Sequence, residues 1–469
     1  MSDKLQTVHT HTGGEPEPEL PVVIIGAGIS GLAAATFLDG HVPLLVLEAG
    51  ARAGGNVQSD SVDGRVLDRA ANGWLDNEPA MERLLELVGL TEQVVSAGPK
   101  ASVRWIWADG ALHAAPLSPP ALARSGLVGA GAKLRLLLEP FLARGPADVD
   151  ETVGAFVRRR LGPAFVERLV GPMVAGIYAA DPDQLSLRAA FERMYQLEQE
   201  HRSLILAALK LRRGGAPPGH LQTVEGGAGA LTAHLAARLG DQLLLETPAT
   251  SLEQRRGRWR VHTPSGAVDA RAVILACPAP AQARLTRGVD TAAAAALDAI
   301  PMAPVAVVAS AWPKGAWDHQ PDGFGVLHAR GAAGTIDGAE GVLGTLFTSC
   351  VFPAQGRSDE VLLRTILGGA VAPEVAALDD QQLIARVRRA LSAMFGQERA
   401  DPALVRIFRH PAGIPQYTVG HLQRVASVRA AQARHQGLYF VGNHLQGIGV
   451  KDCAREGEKV AGQVRAYCG

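Results

Sequence analysis

Gly26, Gly28 and Gly31 stand in G-x-G-x-x-G spacing directly after the apolar run Val22-Val23-Ile24-Ile25, and Glu48 closes a second apolar run, Pro43-Leu44-Leu45-Val46-Leu47. This order of strand, glycine turn, helix, strand and acid is the chemistry of a dinucleotide site. Gly26 permits the tight turn, Gly28 lets the backbone approach a pyrophosphate, and Gly31 lets the helix lie close to the sheet. The helix N-terminus then faces the phosphates with free N–H groups and the positive end of its dipole. Ala27 and Ser30 lie within this turn as further contacts, and Glu48 is placed to accept from a ribose hydroxyl. A bare glycine spacing is a weak signal; the flanking strands and the correctly spaced acid make it a specific one.

The continuation Glu48-Ala49-Gly50-Ala51-Arg52-Ala53-Gly54-Gly55-Asn56 separates flavin from nicotinamide. It resembles the E-A-x-x-R-x-G-G signature of the large FAD oxidase family that includes amine oxidases, phytoene desaturases and protoporphyrinogen oxidases. That resemblance implies FAD as cofactor, with Ala49, Arg52, Gly54, Gly55 and Asn56 alongside its phosphate and ribityl arm. At the far end of the chain, Gly442-Asn443 and Gly447-Ile448-Gly449-Val450 leave bare backbone before a helix, so that a second N-terminus can face the phosphate or the flavin ring.

Further stretches resemble the oxygen-dependent protoporphyrinogen oxidase family along nearly the whole chain. They are Leu117-Ser118-Pro119-Pro120, Glu200 to Leu206, Asp322 to Leu327, Leu343 to Phe347, Gly413 to Tyr417, and the C-terminal glycine motif. The substrate this implies is a porphyrinogen, a flexible apolar macrocycle with two propionates that loses six electrons to become aromatic. Such a substrate needs an apolar clamp, a cation, and a flavin open to oxygen. Leu327, Leu346 and Ile366 match the positions that sandwich the macrocycle, Gly176 matches a substrate-side position, and Arg104 matches the propionate-binding arginine. A guanidinium suits a carboxylate through two parallel hydrogen bonds. Asn72, with Ala71, matches the turn nearest the flavin face. The implied reaction takes a hydride from a methylene bridge and a proton from a pyrrole, with oxygen reduced to hydrogen peroxide; three such cycles complete the ring. No acid–base pair is needed, because the electron-rich pyrroles activate the hydride themselves.

Three departures from the family stand out. The turn reads Ala70-Ala71-Asn72-Gly73 where the family has G-P-N-S, Ile366 replaces an aromatic residue, and Tyr178-Ala179-Ala180-Asp181-Pro182 lacks two glycines and should be stiffer. His444 follows Gly442-Asn443 where a small residue is common, and reads as a solvated loop histidine.

The 469 residues, 47% hydrophobic and 20% charged, suffice for two or three domains. A formal net charge of zero leaves no nucleic-acid footprint. Four scattered cysteines form no CxxC pair, which argues for a reducing compartment and no metal site. The fold class expected is α/β: a discontinuous Rossmann-like FAD-binding domain, an α+β substrate domain and an all-helical membrane-binding insertion. Residues 1–20 read as a disordered tail, 21–95, 216–277 and 436–469 as the three FAD-domain segments, 96–215 as the insertion with a hairpin, and 278–435 as the substrate domain. The apolar run around Ala292 to Trp312 is interrupted by Asp298, Pro301 and Pro304, so no spanning helix is expected. The family's insertion dips one face into the bilayer, for which Lys133 to Leu138 and Pro140 to Leu142 are suited, although an ordinary core helix or a dimer face fits the same pattern; the resemblance implies a peripheral enzyme of the cytoplasmic membrane, with a homodimer and a haem-pathway partner open. The alternatives are a coproporphyrinogen III oxidase, whose four propionates would want more cations, a flavin amine oxidase, and a porphyrin-binding flavoprotein without turnover.

Overall fold

The computed structural model describes residues 20–146, 149–211, 219–255 and 257–469. The expected tail, Leu20 apart, lies outside the described residues, as does the boundary at 215 between the insertion and the second FAD-domain segment.

Five parallel strands form the nucleotide-binding sheet, in the order Leu243–Leu244, β2 (Leu44–Leu47), β1 (Val22–Ile25), Ala272–Leu275 and Leu438–Phe440. The strands come from both ends of the chain and its middle, which makes the unit discontinuous as the motifs implied. Each strand of the central three is a short Val/Ile/Leu run with almost no polar interruption, because a parallel sheet is covered on both faces. Helix α1 (Ile29–Leu38) is apolar all round and buried at nine of its ten positions. It is enclosed by the sheet, by the helix Ala228–Leu239 and by the C-terminal helix Val450–Cys468. The last crossing is close: a Cβ on Gly457 would stand 2.8 Å from Ala33 Cβ and 3.0 Å from Ala34 N.

The second sheet has seven strands, in the order Leu404–Pro415, Met302–Pro313, Glu360–Gly368, Val342–Leu346, Gly325–His328, Arg104–Ala108 and Ala111–Ala114. The hairpin Arg104–Ala114 was grouped with the helical insertion by sequence. It belongs instead to this sheet, where Arg104–Ala108 pairs in parallel with Gly325–His328, more than 200 positions downstream. A hairpin signals its own turn and says nothing of the strand at its free edge. The apolar run that might have crossed a membrane divides into the helix Thr291–Asp298 and the long strand Met302–Pro313. One face of the sheet packs on the helix Asp380–Phe395 through Trp107, Val326, Leu363 and Leu367. The other face meets the nucleotide unit, where Arg65 is clamped to Glu360 by two hydrogen bonds of 2.7 and 2.5 Å, both side chains buried.

Between residues 119 and 211 the described chain is helical, in eight short α segments, a 3-10 turn at Glu139–Phe141 and a π turn at Val166–Val170. Its joint is ionic. Arg160, fully buried, donates to the carboxylate of Glu139, which also accepts from Ser203 Oγ, Leu204 N and Ile205 N. The carboxylate thus caps the helix Leu204–Leu211, and the family-like stretch Glu200 to Leu206 has a structural role here. No helix among the described residues is long and apolar enough to cross a membrane.

Candidate functional site

The glycine turn is built as its spacing required. Gly26 has φ +107°, and a Cβ there would stand 2.8 Å from Cys277 N; a Cβ on Gly31 would fall 2.0 Å from Gly26 O. Gly28, the residue capping α1, has open space where its Cβ would be. Ala27 is held from both sides: its N–H donates to Glu48 Oε2 at 2.7 Å, and its carbonyl accepts from Gly54 N at 2.7 Å. Gly54 and Gly55, both with positive φ, close over the turn, where a Cβ on Gly55 would stand 3.1 Å from Gly28 Cα. The two glycine pairs are therefore one backbone cradle with the N-terminus of α1 beneath it, and it fits a pyrophosphate.

Glu48 is committed partly to the backbone, since Oε1 also accepts from Gly50 N at 2.8 Å. Each carboxylate oxygen keeps a second lone pair for a ribose hydroxyl. Ser30 is buried against the Cys453 thiol of the C-terminal helix rather than turned to the cradle. Arg52, half exposed, is paired with Asp60 at 2.9 Å beside the cradle, with Ala49 exposed nearby. Asn56 donates to Gly413 O at 3.2 Å and so ties the cradle to the strand Leu404–Pro415.

At the departed turn, Ala70 O accepts from Arg364, Ala71 N donates to Asn56 O at 3.4 Å, and Asn72 Nδ2 is buried with no hydrogen-bond partner. A Cβ on Gly73 would stand 2.2 Å from Gln222 O, so the serine of the family's turn has no room here. An orphaned buried amide is a donor awaiting an acceptor.

The C-terminal motif faces the same region. Gly449 caps the helix Val450–Cys468 with Asp452 Oδ2 reaching back to its N–H at 3.2 Å. Gly447 takes φ +74°, and Ile448 packs against the core of the helical insertion. Gly442 is left bare for His444, whose Cε1 would lie 2.5 Å from a Cβ there, and Asn443 O accepts from the Tyr417 hydroxyl. His444 is not a solvated loop residue: it is 1% exposed, and burial holds its pKa down at about 3. Neighbouring His421, stacked on Tyr417 at 4.2 Å, is likewise buried and lowered to about 4. Both imidazoles are neutral near pH 7, held under the motif by packing.

The residues matched to the macrocycle lie on one face of the seven-stranded sheet. Gly325 is directly opposite Arg104 on one side and Leu346 on the other; Gly344 is directly opposite both Leu327 and Ile366. Leu327 and Ile366 are each the only position of their strand not fully buried, and Leu346 is one of two on its strand. Gly176 and Gly344 make room for Leu327, whose Cδ2 would be 2.8 and 2.9 Å from their Cβ atoms. Arg104 is exposed, lies over the Phe324 ring at 5.1 Å, and has no carboxylate partner among the described residues. The stiff loop carries strain, since Ala179 ends the helix Gly171–Tyr178 at φ +48°, a conformation glycine adopts more cheaply.

Sequence reasoning missed Arg364. Its signal was a lone cation in the apolar strand Glu360–Gly368. It is 6% exposed, and its Nε and Nη1 have no partner.

Residues 29–465 match the family described as flavin containing amine oxidoreductase. The chain belongs to that family. Its cofactor is FAD, and it is an oxidoreductase of the kind to which the protoporphyrinogen oxidases belong. It is 32% identical to the chloroplastic protoporphyrinogen oxidase of Nicotiana tabacum, covering 97% of this chain and 87% of the relative. It is 31% identical to the coproporphyrinogen III oxidase of Propionibacterium freudenreichii subsp. freudenreichii, covering 97% and 92%. Among solved structures, one from Exiguobacterium sp. 255-15, provisionally named a protoporphyrinogen oxidase, superposes with a TM-score of 0.81 at 26% identity, covering 95% of this chain and 99% of the other. Within the flavin containing amine oxidoreductase family, the bare cradle and the orphaned Asn72 amide are the features of this chain that fit FAD.

Proposed function

We propose that this protein oxidises protoporphyrinogen IX to protoporphyrin IX in haem biosynthesis, with oxygen as acceptor and hydrogen peroxide as product. The observation that carries the reading is the shared sheet face, where Leu327, Leu346 and Ile366 stay partly exposed beside Arg104, which has no carboxylate partner among the described residues. FAD, when bound, supplies the acceptor of two electrons per cycle and returns them to oxygen. The chain's own work is orientation and desolvation. The aliphatic side chains offer about 25 cal/mol for each Å² of macrocycle surface they cover, and Arg104 fixes a propionate so that a methylene bridge is presented in register. Asn72 Nδ2 would offer the bound flavin a neutral donor, and the neutral His444 and His421 add no buried charge under the C-terminal motif.

The insertion supports peripheral attachment to the cytoplasmic membrane. Leu117, Leu134, Leu137, Leu138 and Phe141 are 58–84% exposed, while Lys133 is turned inward to the carbonyls of Ala123 and Ser125. Such exposed apolar side chains suit insertion at a bilayer surface.

The test is porphyrin fluorescence with FAD-loaded protein and freshly reduced protoporphyrinogen IX, against a blank for autoxidation. Rates above the blank with matching peroxide are expected; a rate equal to the blank in a flavin-loaded preparation contradicts the proposal.

A further inference from the structure

The stretch Gly413 to Tyr417 stands out in the sequence, and the reading above gives it no task. It leaves the edge of the seven-stranded sheet, where Ile414 and Pro415 still pair with Ala303 and Met302, and enters the helical insertion, where Tyr417 O accepts from Ser186 N at 2.8 Å. On the way it touches both glycine motifs of the nucleotide unit. Gly413 O accepts from Asn56 Nδ2 beside the cradle, and the Tyr417 hydroxyl donates to Asn443 O of the C-terminal motif. One short piece of chain therefore joins the cofactor cradle to the insertion.

Gln416 is the side chain of this strut that reaches towards the substrate face. It is buried, and its Nε2 donates to Tyr178 O at 2.8 Å and to Ile414 O at 3.0 Å. Both amide hydrogens are thus used, and the reverse orientation would set the amide oxygen against two carbonyls. Tyr178 is the last residue of the helix Gly171–Tyr178, whose final carbonyls have no partner within the helix. Gln416 satisfies one of these, and Ala370 N donates to the next, Ala179 O, at 2.8 Å. The Tyr178 ring packs the same end from the side, 5.7 Å from both Phe191 and Tyr417.

Two residues before Tyr178, the same helix carries Gly176, which stands against Leu327. Where the helix end is tied therefore decides how much space is left over Leu327. Transfer of a hydride depends steeply on placement, and a shift of about 1 Å can cost on the order of a hundredfold in rate. We propose that Gln416 is a positioning residue of this site: its amide ties the helix bearing Gly176 to the segment that touches both glycine motifs, and so sets the gap in which a porphyrinogen meets the flavin. This rests on the porphyrinogen reading above. A methionine of similar volume in its place strips the buried Tyr178 O of its donor and frees the helix end to move.

The test compares wild type, Gln416→Met, Gly176→Ala and the double variant, all loaded with FAD. The Kd of protoporphyrin IX is read by fluorescence, flavin reduction by anaerobic mixing with protoporphyrinogen IX, and the flavin midpoint potential by equilibration with dyes. Gln416→Met should raise the Kd and slow flavin reduction at saturating substrate, each about tenfold, as loss of one buried hydrogen bond does. Flavin content and potential should stay as they are. With Gln416 in place, Gly176→Ala presses Leu327 aside and weakens binding severalfold. With the tie cut, the helix can withdraw from the added methyl, so the same substitution should then cost little, a coupling that a merely structural glutamine would not show. Should Gln416→Met fail to fold, Gln416→Asn, whose amide is one methylene short of Tyr178 O, is read in its place. An unchanged Kd, independent effects in the double variant, or a loss of rate that follows a shifted potential overturns the positioning role. A wild-type flavin that protoporphyrinogen IX does not reduce, together with a protoporphyrin Kd that still follows Gln416, keeps the role and sinks the oxidase reading.

Discussion

A methyl group at Gly176 would stand 2.8 Å from Leu327 Cδ2, closer than side chains approach. The helix Gly171–Tyr178 thereby fixes how far Leu327 projects from the sheet. Gly176→Ala should change stability by less than about 1 kcal/mol, because the helix gains alanine's propensity while Leu327 is pushed from its place. The KM for porphyrinogen should rise severalfold at unchanged flavin content. An unchanged KM would separate Leu327 from the substrate.

The helical insertion is held by a carboxylate that serves two elements. Glu139 accepts from Arg160 and from Ser203, and all three side chains are buried. Removing one partner of a buried pair costs about 3–5 kcal/mol, and the other carboxylate near Arg160, Glu198 at 3.5 Å, is already shared with Arg159. Glu139→Ala should lower urea-unfolding stability by that order, whereas Arg158→Ala, which breaks an exposed pair with Asp183, should change it by less than about 1 kcal/mol.

Four imidazoles have their pKa lowered chiefly by burial, and the three lowered furthest shape the acid side of the stability curve. His328 and His421 are lowered to about 4 and His444 to about 3, in each case chiefly by burial. A depressed pKa means that the unfolded chain binds the proton first, so stability is whole above pH ~6.5 and falls towards pH ~4. Each such group adds about 1.4 kcal/mol per pH unit to the slope, and three together about 4. Unfolding curves at pH 7, 6 and 5 should show this loss, and His444→Gln should remove about one proton from the slope. Equal slopes for the two proteins would place a charged or solvated histidine at 444.

The apolar surface of the insertion has its own test. Phe141 is 84% exposed and Leu138 58%. The double substitution Phe141→Ser and Leu138→Ser should weaken binding to anionic phospholipid vesicles about tenfold in sedimentation, with little change in thermal stability, because neither side chain is in the core. Unaltered vesicle binding would assign this face to something other than lipid.

Much of the nucleotide unit was legible because its signals are local. Gly26, Gly28, Gly31 and Glu48 lie within a stretch of 23 residues, and glycine turns mark themselves. What could not be read was pairing over distance. The hairpin at Arg104 gave no sign that it would join Gly325–His328, and the strand Leu404–Pro415 was hidden by Pro411, which is tolerated because the strand lies at the sheet edge, where the register slips between Ala303 and Val305. His444 was misplaced for a related reason: a short motif shows which backbone is bare, and not that the bare glycine makes room for the imidazole two residues on. Arg364 was visible as a charge in the apolar run Val361 to Leu367, yet only the fold brings it to the carbonyl of Ala70.

The central claim is that this chain passes electrons from a porphyrinogen to its flavin. Anaerobic mixing of the FAD-loaded protein with protoporphyrinogen IX, and in parallel with coproporphyrinogen III, followed by flavin absorbance, tests it most directly. The account predicts rapid bleaching of the flavin with at least one of them, and return of the colour with peroxide when oxygen is admitted, to a total of three peroxides for each porphyrin formed. A flavin that stays oxidised with both porphyrinogens would contradict it.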